Sequence, residues 1–344
     1  MTEEVVTSSA QNHFARYSHI ESELIIDGCQ PNLLPDLSVM IPTFRRPHLL
    51  KEAIESVVNQ TAHGINIEIV VVDNDAETNS SELALLVESF FPNNIRLFKN
   101  KENIGMYGNW NRCIELARAP LITILNDDDL LHPDFISFTY ESNIEAVRIV
   151  THKTFSTLSN IRWEKINKKI SLFPISKYHF FMGNPAPGSL GVLMNKRCAL
   201  ELGGYNENVW PTSDYDFTYR YWCTYGGYKT KLNLSGYRWA ENESLKVDTL
   251  TGFLKYCYQF RLELISSLSI SDRRKFFLIK INNLKSVDDA FIYNSVNSKF
   301  NVQENLKSIG IHLKSVSFFN CKIVRKLFYI LNAFFIKSIF GKIT

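Results

Sequence analysis

Between residues 37 and 125, four short apolar runs alternate with helical patterns, and this alternation limits the choice of fold more than any other feature. The runs are continuous, as expected for strands that are covered on both faces of a sheet. Strands that alternate with helices of about 10–15 residues predict βαβ units. We therefore expect an α/β fold with a mostly parallel sheet flanked by helices. The four runs are LSVMIP (37–42), IEIVVVD (67–73), IRLF (95–98) and LITIL (121–125).

The chain divides into three parts by composition. Residues 1–36 are polar and irregular and predict an N-terminal arm. Residues 37–245 contain the strand runs and predict the main domain, with one half at 37–130 and the other at 131–245. Residues 246–344 lack strand runs and predict a C-terminal helical region with a basic tail.

Charge and cysteine usage exclude several classes of protein. The net charge is +3, but residues 301–344 carry +6 and the first 300 residues carry −3, so the chain is not a uniformly basic nucleic-acid-binding protein. The six cysteines are scattered without a CxxC pair, which argues against a zinc site or a disulfide scaffold and favours a reducing compartment. The first 14 residues contain acids where a signal peptide has bases. We therefore expect a cytoplasmic protein that binds no nucleic acid.

Polar residues follow three of the four predicted strands at the point where each strand ends. They are Pro42-Thr43, Asp73-Asn74-Asp75 and Asn126-Asp127-Asp128-Asp129. Because ligands of open α/β sheets bind outside the carboxyl ends of the strands, this pattern predicts a crevice that holds several carboxylates. Such carboxylates repel one another unless a cation lies among them, and oxygen ligands suit Mg²⁺ or Mn²⁺ shared with a substrate diphosphate. The simpler alternative for the aspartate triplet is a solvated turn that caps the next helix.

Several motifs resemble those of family 2 glycosyltransferases. The nucleotide-binding half of that family is matched by LSVMIPTFRRPHLLKEAIESVVNQ, IEIVVVDNDA and KNKENIGMYGNWNRCIELARAPLITILNDDDLLHPDF. The acceptor half is matched by LGGYNENVWPTSDYDFTYRYW (202–222). The resemblance covers about residues 37–245. It implies a Rossmann-like GT-A fold and an inverting, metal-dependent transferase of the hexosyl type that uses a nucleoside diphosphate sugar.

The resemblance also implies roles on the donor side of the site. Asp73 corresponds to an aspartate that hydrogen-bonds a uracil-type base, so the donor would be a UDP or dTDP sugar; its alternative role is an Asx-type turn. Asp128 corresponds to the main ligand of the metal, Mn²⁺ or Mg²⁺. Asn126 replaces the first aspartate of the metal motif in many relatives, which leaves open which members of the triplet bind the ion. The other implied residues are Pro42 and Thr43 in the base pocket, Asn103 and Gly105 in the turn over the nucleoside, Asp127 near the ribose and Asp129 in the metal shell.

On the acceptor side, Asp214 corresponds to the general base that takes a proton from the acceptor hydroxyl. Ser213 stands where relatives have a glutamate, and Asp216 is near enough to compete for this role. Alternatively, both aspartates favour the dipole in the first turn of a helix. The segment GYRWAENES (236–244) resembles the loop after the last core strand, where Arg238 would contact the diphosphate; the alternative is a solvated surface arginine.

The basic tail over residues 318–342 mixes large apolar residues with lysines and arginines. Its longest uncharged run, residues 327–336, is too short to span a bilayer. The tail fits an interfacial amphipathic helix on an anionic membrane surface, and it fits equally a helix docked on the main domain. If the tail binds a membrane, the acceptor would be a glycan or a sugar on a polyprenyl lipid at the inner face of the cell membrane. By family analogy, the product would be a bacterial surface polysaccharide such as O-antigen or capsule.

Two other functions fit parts of the sequence. A nucleotidyltransferase that makes the activated sugar shares the α/β scaffold and the acidic site, but it needs a glycine-rich loop after the first strand. PTFRRPH has no glycine there, which counts against this function. A non-catalytic sugar-nucleotide-binding protein would have no activity to lose on Asp214→Asn substitution.

Overall fold

The structure is a computed structural model that describes residues 11–141, 148–149, 153–155, 163, 165–166, 171–238, 243–312, 336–337 and 339–340. The described residues fall into two compact units. The first is drawn from Met1–Pro174, Pro185–Asn208 and Ser213–Ala240, and the second from Ile175–Asn184, Val209–Thr212 and Glu241–Thr344.

All described strands belong to the first unit. They are β1 (Ser22–Asp27), β2 (Leu37–Thr43), β3 (Ile67–Asp73), β4 (Ile95–Asn100), β5 (Leu121–Ile124), β6 (Leu130–Leu131), β7 (Arg148–Ile149), β8 (Lys153–Phe155), β9 (Leu172–Pro174), β10 (Val192–Asn195), β11 (Tyr228–Thr230) and β12 (Ser235–Arg238). The helices of this unit are α1 (Pro47–Val58), α2 (Ser81–Glu88), α3 (Gly105–Leu116), α4 (Phe135–Glu141), α6 (Lys196–Glu201) and α7 (Ser213–Tyr225). Those of the second unit are α5 (Lys177–Met182), α8 (Val247–Ser266), α9 (Asp272–Val296) and α10 (Val302–Ser308).

The central sheet has nine strands in the order β1-β4-β3-β2-β5-β10-β7-β11-β9, and a second sheet has the order β6-β12-β8. Strands β4, β3, β2 and β5 are parallel neighbours and are the four strands that the apolar runs predict. Every residue of β2 is buried, in agreement with a sheet covered on both faces. The predicted mixed α/β fold with a mostly parallel core and C-terminal helices is therefore confirmed.

Helix α1 illustrates how the sequence specifies the crossover between two parallel strands. It begins at Pro47, at a first-turn position where the missing N–H is not needed. Its buried residues are Leu50, Ala53, Ile54 and Val57, which lie on one stripe and pack into the same core as β2 and β3. These apolar residues recur at the spacing of a helix, so the sequence between the first two strands specifies a helix with one buried face.

Residues 11–36, the described part of the arm predicted at 1–36, are more ordered than their composition indicates. Residues Ser22–Asp27 form the edge strand β1, which pairs antiparallel with β4. The side chain of Arg112 on α3 fixes the preceding segment by donating to the carbonyl of Tyr17 over 2.9 Å. The strand is half exposed and lacks a continuous apolar run, so the signal that identified the central strands is absent from it.

The second unit is helical, as predicted, but it also includes segments from earlier in the chain. Its core cluster is formed by Leu250, Leu254, Val287 and Phe300 together with Ala290, Leu306 and Ile311. The composition predicts one boundary, after residue 245, whereas each compact unit consists of three separate chain segments. The segment 175–184 belongs to the second unit because its helix α5 packs against α8.

The predicted basic tail lies almost wholly outside the described residues, which include only positions 336–337 and 339–340 beyond residue 312. Its proposed membrane helix therefore stays a prediction. Among the helices that the structure describes, none is both long enough and apolar enough to cross a membrane.

Candidate functional site

Three strand ends of the first unit meet at one edge of the large sheet. Thr43 of β2 pairs in register with Asp73 of β3, and β5 runs beside β2 into the loop that carries Asp127. Pro42, Thr43 and Asp73 are buried. The backbone N–H of Asn74 donates to the carbonyl of Thr43 over 3.0 Å and joins the first two ends. The carboxylates that the sequence places after separate strands thus share one edge of the sheet.

Asp127 and Asp128 share one cation, the guanidinium of Arg46. Nη1 of Arg46 lies 2.8 Å from Oδ2 of Asp128 and 3.4 Å from Oδ1 of Asp127. The other oxygen of Asp127 accepts from Oγ1 of Thr43 over 2.8 Å. Arg46 is not among the site residues predicted from the sequence. The signal that could have found it is an Arg-Arg pair directly after the first strand end.

Asp129 faces a different set of partners from the rest of the triplet. It is fully buried, and its Oδ2 accepts from Nδ2 of Asn126 over 3.0 Å. Its Oδ1 accepts from the backbone N–H of Arg238, also over 3.0 Å. Both carboxylate oxygens thus brace the loop, and the predicted role of Asp129 in a metal shell stays a prediction.

Among the residues that the structure describes, Arg46 forms the ion pairs of the triplet, and its one positive charge does not balance three carboxylates. Burial raises the pKa of Asp127 to about 6, and the neighbouring Asp128 carboxylate adds to this effect. Burial likewise raises the pKa of Asp128, and burial together with Asp128 raises the pKa of Asp129 strongly. Arg46 opposes the shift at Asp127 and Asp128. The site therefore favours the arrival of further positive charge.

The donor set fits a divalent cation only if the substrate supplies further ligands. Within the described part of the chain, no three His, Cys, Asp or Glu side chains converge as a metal cluster. Asp127 and Asp128 do offer neighbouring carboxylate oxygens at the sheet edge. Mg²⁺ in proteins is commonly held by one or two carboxylates and completed by substrate phosphates and water. The residues therefore fit a cation shared with a diphosphate, and they do not form a closed protein cage.

Asp73 is buried at the end of β3, and its Oδ1 accepts from the backbone N–H of Asp75 over 3.0 Å. This is the Asx-type turn that the sequence analysis weighed as the alternative role. Burial raises the pKa of Asp73. The turn is held by Arg45, whose Nε and Nη2 donate to the two oxygens of Asp75 over 2.7 and 3.0 Å. A fixed turn and a base-binding carboxylate are compatible, because the turn uses one oxygen.

The turn that carries Asn103 and Gly105 is joined to the end of β3 by Asn74. Nδ2 of Asn74 donates to Oδ1 of Asn103 over 2.8 Å and to the carbonyl of Gly105 over 3.3 Å. Gly105 has φ of +72°, in the left-handed region that favours glycine. Oδ1 of Asn74 in turn accepts from Nδ2 of Asn100 over 2.9 Å. The sequence analysis noted Asn74 only as part of a polar run and did not foresee this network.

Asp214 lies in the first turn of α7, and its Oδ2 accepts from the backbone N–H of Gly188 over 2.7 Å. The carbonyl of Gly188 accepts from Nδ2 of Asn126 over 3.2 Å. A chain of hydrogen bonds thus runs from Asp214 through Gly188 and Asn126 to Asp129. This chain places Asp214 near the acidic triplet, although 85 residues separate Asp214 from Asp129 in the sequence.

Asp216, the other candidate base, has a structural partner. Its Oδ2 lies 2.8 Å from Nε of Arg220, one helical turn further along α7. The remaining nitrogens of Arg220 donate to the carbonyls of Leu202 and Gly204 over 2.8 and 2.7 Å. Asp216 therefore supports the Gly-Gly-Tyr segment through Arg220, whereas Asp214 accepts from the backbone of Gly188.

The Gly-Gly-Tyr segment has a geometric need for its second glycine. Gly204 has φ of +77°, and a Cβ atom there would lie 2.4 Å from Oδ1 of Asn111. The close approach lets the backbone N–H of Tyr205 donate to that oxygen over 2.7 Å. The hydroxyl of Tyr205 then donates to Oγ of Ser189, next to the glycine that binds Asp214, over 2.7 Å.

Arg238 ends β12 and is buried, so it is not the solvated surface arginine that the sequence left open. Its backbone binds Asp129, as described above, and its Nη2 lies 2.5 Å from Oε2 of Glu52 on α1. Its positive charge also opposes the rise in the pKa of Asp128. The structure thus brings Arg238 to the acidic triplet, and its contact with a diphosphate stays a prediction.

Comparison with known proteins finds a family model that matches part of this chain. A sequence model described as "Glycosyl transferase family 2" matches residues 38–184. An uncharacterized glycosyltransferase of Methanocaldococcus jannaschii, MJ1057, is 29% identical over 202 residues, which cover 57% of this chain and 67% of that protein. The GalNAc(5)-diNAcBac-PP-undecaprenol beta-1,3-glucosyltransferase of Campylobacter jejuni is 29% identical over 185 residues, or 52% of this chain and 59% of that enzyme. The matches thus span about three fifths to two thirds of these relatives.

Among solved structures, S. aureus TarS 1-349 in complex with UDP aligns with a TM-score of 0.54. The alignment covers 79% of this chain and 80% of TarS 1-349 at 13% sequence identity. Because the sequence identity is so low, the likeness shows a shared fold alone. The GT-A fold that the motifs imply is thereby confirmed.

Proposed function

The family 2 glycosyltransferase model matches residues 38–184. From this match we propose that the chain is a glycosyltransferase of this family and that it transfers a sugar from a UDP or dTDP sugar to a hydroxyl of a glycan or lipid-linked sugar, with inversion at the anomeric carbon. The observation that carries the proposal is the hydrogen-bonded chain from Asp214 to Asp129. This chain of hydrogen bonds places Asp214, a carboxylate that could act as a base, beside the aspartate triplet, which could bind a diphosphate through a cation. A protein that binds a nucleotide without catalysing a reaction does not need a base at the position of Asp214.

The donor would bind along the edge of the sheet. Asp73 would accept a hydrogen bond from the base, and the turn at Asn103 and Gly105 would close over the nucleoside. The backbone of Pro42 and Thr43 would line the base pocket. These residues are preorganised, because Asn74 and Arg45 hold the two turns before any ligand arrives.

The diphosphate would lie at Asp127 and Asp128, with Arg238 nearby as a positive group. We propose that these two carboxylates hold Mn²⁺ or Mg²⁺ together with the substrate. When bound, the cation would offset the negative charge that develops on the departing nucleoside diphosphate.

Asp214 would accept the proton of the acceptor hydroxyl as its oxygen attacks the anomeric carbon from the face opposite the diphosphate. The new bond joins that carbon to the acceptor oxygen, and the bond to the diphosphate oxygen breaks. A single displacement inverts the configuration and requires no enzyme nucleophile. The ion pair between Asp216 and Arg220 favours Asp214 over Asp216 for this role.

We also propose that the acceptor is carried on a lipid, so that the enzyme works at the cytoplasmic face of a bacterial membrane in the synthesis of a surface polysaccharide such as O-antigen or capsule. The name of the Campylobacter jejuni relative specifies an undecaprenol diphosphate-linked acceptor, which supports this choice. The basic tail would add a peripheral membrane contact.

The proposal is tested by incubating the protein with UDP and dTDP sugars, Mn²⁺ and a set of polyprenyl diphosphate-linked sugars. We expect release of one nucleoside diphosphate and a lipid-linked product lengthened by one sugar. Asp214→Asn should lower the turnover by roughly 100-fold or more, since general-base catalysis contributes about 10²–10⁴-fold.

Asp216→Asn is the matched control, and it should retain turnover to within severalfold once circular dichroism shows that it is folded. Loss of turnover in Asp216→Asn alone would assign the base to Asp216. Release of pyrophosphate from a nucleoside triphosphate and a sugar 1-phosphate would instead identify a nucleotidyltransferase.

A further inference from the structure

The guanidinium of Arg46 contacts the carboxylates of both Asp127 and Asp128. Arg46 is the residue directly before helix α1, and its side chain remains about one third exposed, at 35%. Its two acidic partners are far more buried, with side-chain exposures of 8% for Asp127 and 11% for Asp128. The arginine is therefore the more exposed partner of this contact.

The contact of Arg46 uses the same oxygens that a divalent cation would need. Asp129 has both oxygens engaged by Asn126 and by the backbone of Arg238, whereas Asp127 and Asp128 each have an oxygen in contact with Arg46. A guanidinium and a divalent cation repel each other and cannot share these oxygens at close range. Occupation by one therefore weakens occupation by the other.

We propose that Arg46 is an internal counterion that makes cation binding depend on the donor. Without a nucleotide, its guanidinium pairs with Asp127 and Asp128 and opposes binding of the metal. With a nucleoside diphosphate bound, Arg46 moves to the phosphate oxygens, whose geometry matches its planar donors, and the two carboxylates become available. This inference rests on the proposed metal-dependent donor site, and it makes Arg46 a positioning residue.

The neighbouring Arg45 provides the matched comparison. It carries the same charge in the same loop, but its side chain pairs with Asp75 and Glu77. Removing Arg45 changes the local net charge by the same amount as removing Arg46 and leaves the Arg46 contact with Asp128 in place. An effect that depends on the contact will therefore distinguish the two variants.

The test is Mn²⁺ binding, followed by electron paramagnetic resonance, in the wild type, Arg46→Gln and Arg45→Gln, first without nucleotide and then with saturating UDP. We expect Arg46→Gln to tighten nucleotide-free Mn²⁺ binding by about tenfold and to reduce the strengthening that UDP provides by a similar factor, because coupling between two ligands is reciprocal. Arg45→Gln serves as the control for the nucleotide-free measurement alone, because Arg45 holds the turn at Asp73 on the donor side. It should change nucleotide-free Mn²⁺ binding by less than about twofold. Arg46→Lys, which keeps the charge and loses the planar donors, should fall between the wild type and Arg46→Gln and covers the case in which Arg46→Gln does not fold.

Nucleotide-free Mn²⁺ affinity that is unchanged or weaker in both Arg46 variants would overturn the inference and make Arg46 a structural support of the loop. Equal tightening in Arg45→Gln would also overturn it, because net charge alone would then explain the effect. Wild-type protein that binds UDP but no Mn²⁺ would overturn the proposed metal site as well. The two failures are thus distinguishable.

Discussion

The two ends of the central sheet both bury carboxylates, but they balance the negative charge differently. At the amino ends of the strands, Glu68 of β3 accepts from Oγ of Ser38 over 2.5 Å and from Nη2 of Arg96 over 2.8 Å. The backbone N–H and Nε of Arg118 donate to the same carboxylate over 2.7 and 2.9 Å. Burial acts to raise the pKa of Glu68, but these hydrogen bonds and charges outweigh it and leave the pKa lowered.

At the carboxyl ends of the same strands, three aspartates meet one ion-paired guanidinium. Their pKa values are raised, with Asp127 at about 6. One carboxylate beside two arginines is a structural ion network. Three carboxylates, two of which form ion pairs with Arg46 and which have Arg238 nearby, keep raised pKa values and form a site that favours another cation. The comparison teaches that burial alone does not distinguish the two ends, and that the balance of nearby charge does.

The largest effect on stability is expected at the amino ends of the strands, where Glu68 is paired with two arginines. Glu68→Gln removes the charge partner of buried Arg96, so we expect the free energy of unfolding to fall by about 3–5 kcal/mol. Urea denaturation near neutral pH measures the change, and Glu23→Gln at an exposed position is the control. A loss below about 1 kcal/mol would mean that Glu68 is not a structural ion, and the contrast between the two ends would fail.

The pH dependence of the same variant sharpens the contrast. The pKa of Glu68 is lowered in the folded state, so its stabilising effect is complete above its unfolded pKa of about 4.3 and is lost as the pH falls through the folded value. The difference in unfolding free energy between wild type and Glu68→Gln should therefore shrink from pH 6 towards pH 3. A difference that stays constant over this range would contradict the assigned charge state.

The smallest effect, with the opposite sign, is expected at the acidic end. Asp127→Asn relieves a buried charge whose pKa is raised by burial and by Asp128, so we expect the free energy of unfolding to rise by about 1 kcal/mol at pH 7.5. This corresponds to an increase in Tm of roughly 2–4 °C. The exposed Glu88→Gln should change Tm little. Clear destabilisation in Asp127→Asn would show that Arg46 already compensates the triplet.

The parallel strands and the polar residues at their ends could be predicted from the sequence, because the patterns that indicate them are local. Continuous apolar runs identified β2 to β5, and polar residues after those runs identified Asp73 and the triplet. The contacts of Arg46, Asn74 and Gly188 could not be predicted, because each joins residues far apart in the chain. The same holds for the different partners of Asp214 and Asp216, which are identical in type and lie two positions apart on one helix.

The central claim is that the acidic edge of the sheet binds a nucleoside diphosphate together with a divalent cation. Calorimetric titration of UDP with and without Mn²⁺, in wild type and Asp128→Asn, tests it most directly. We predict binding that requires Mn²⁺ in the wild type and weakens by at least about tenfold in Asp128→Asn. UDP binding that ignores both the metal and the substitution would contradict the claim and reduce the triplet to a structural turn.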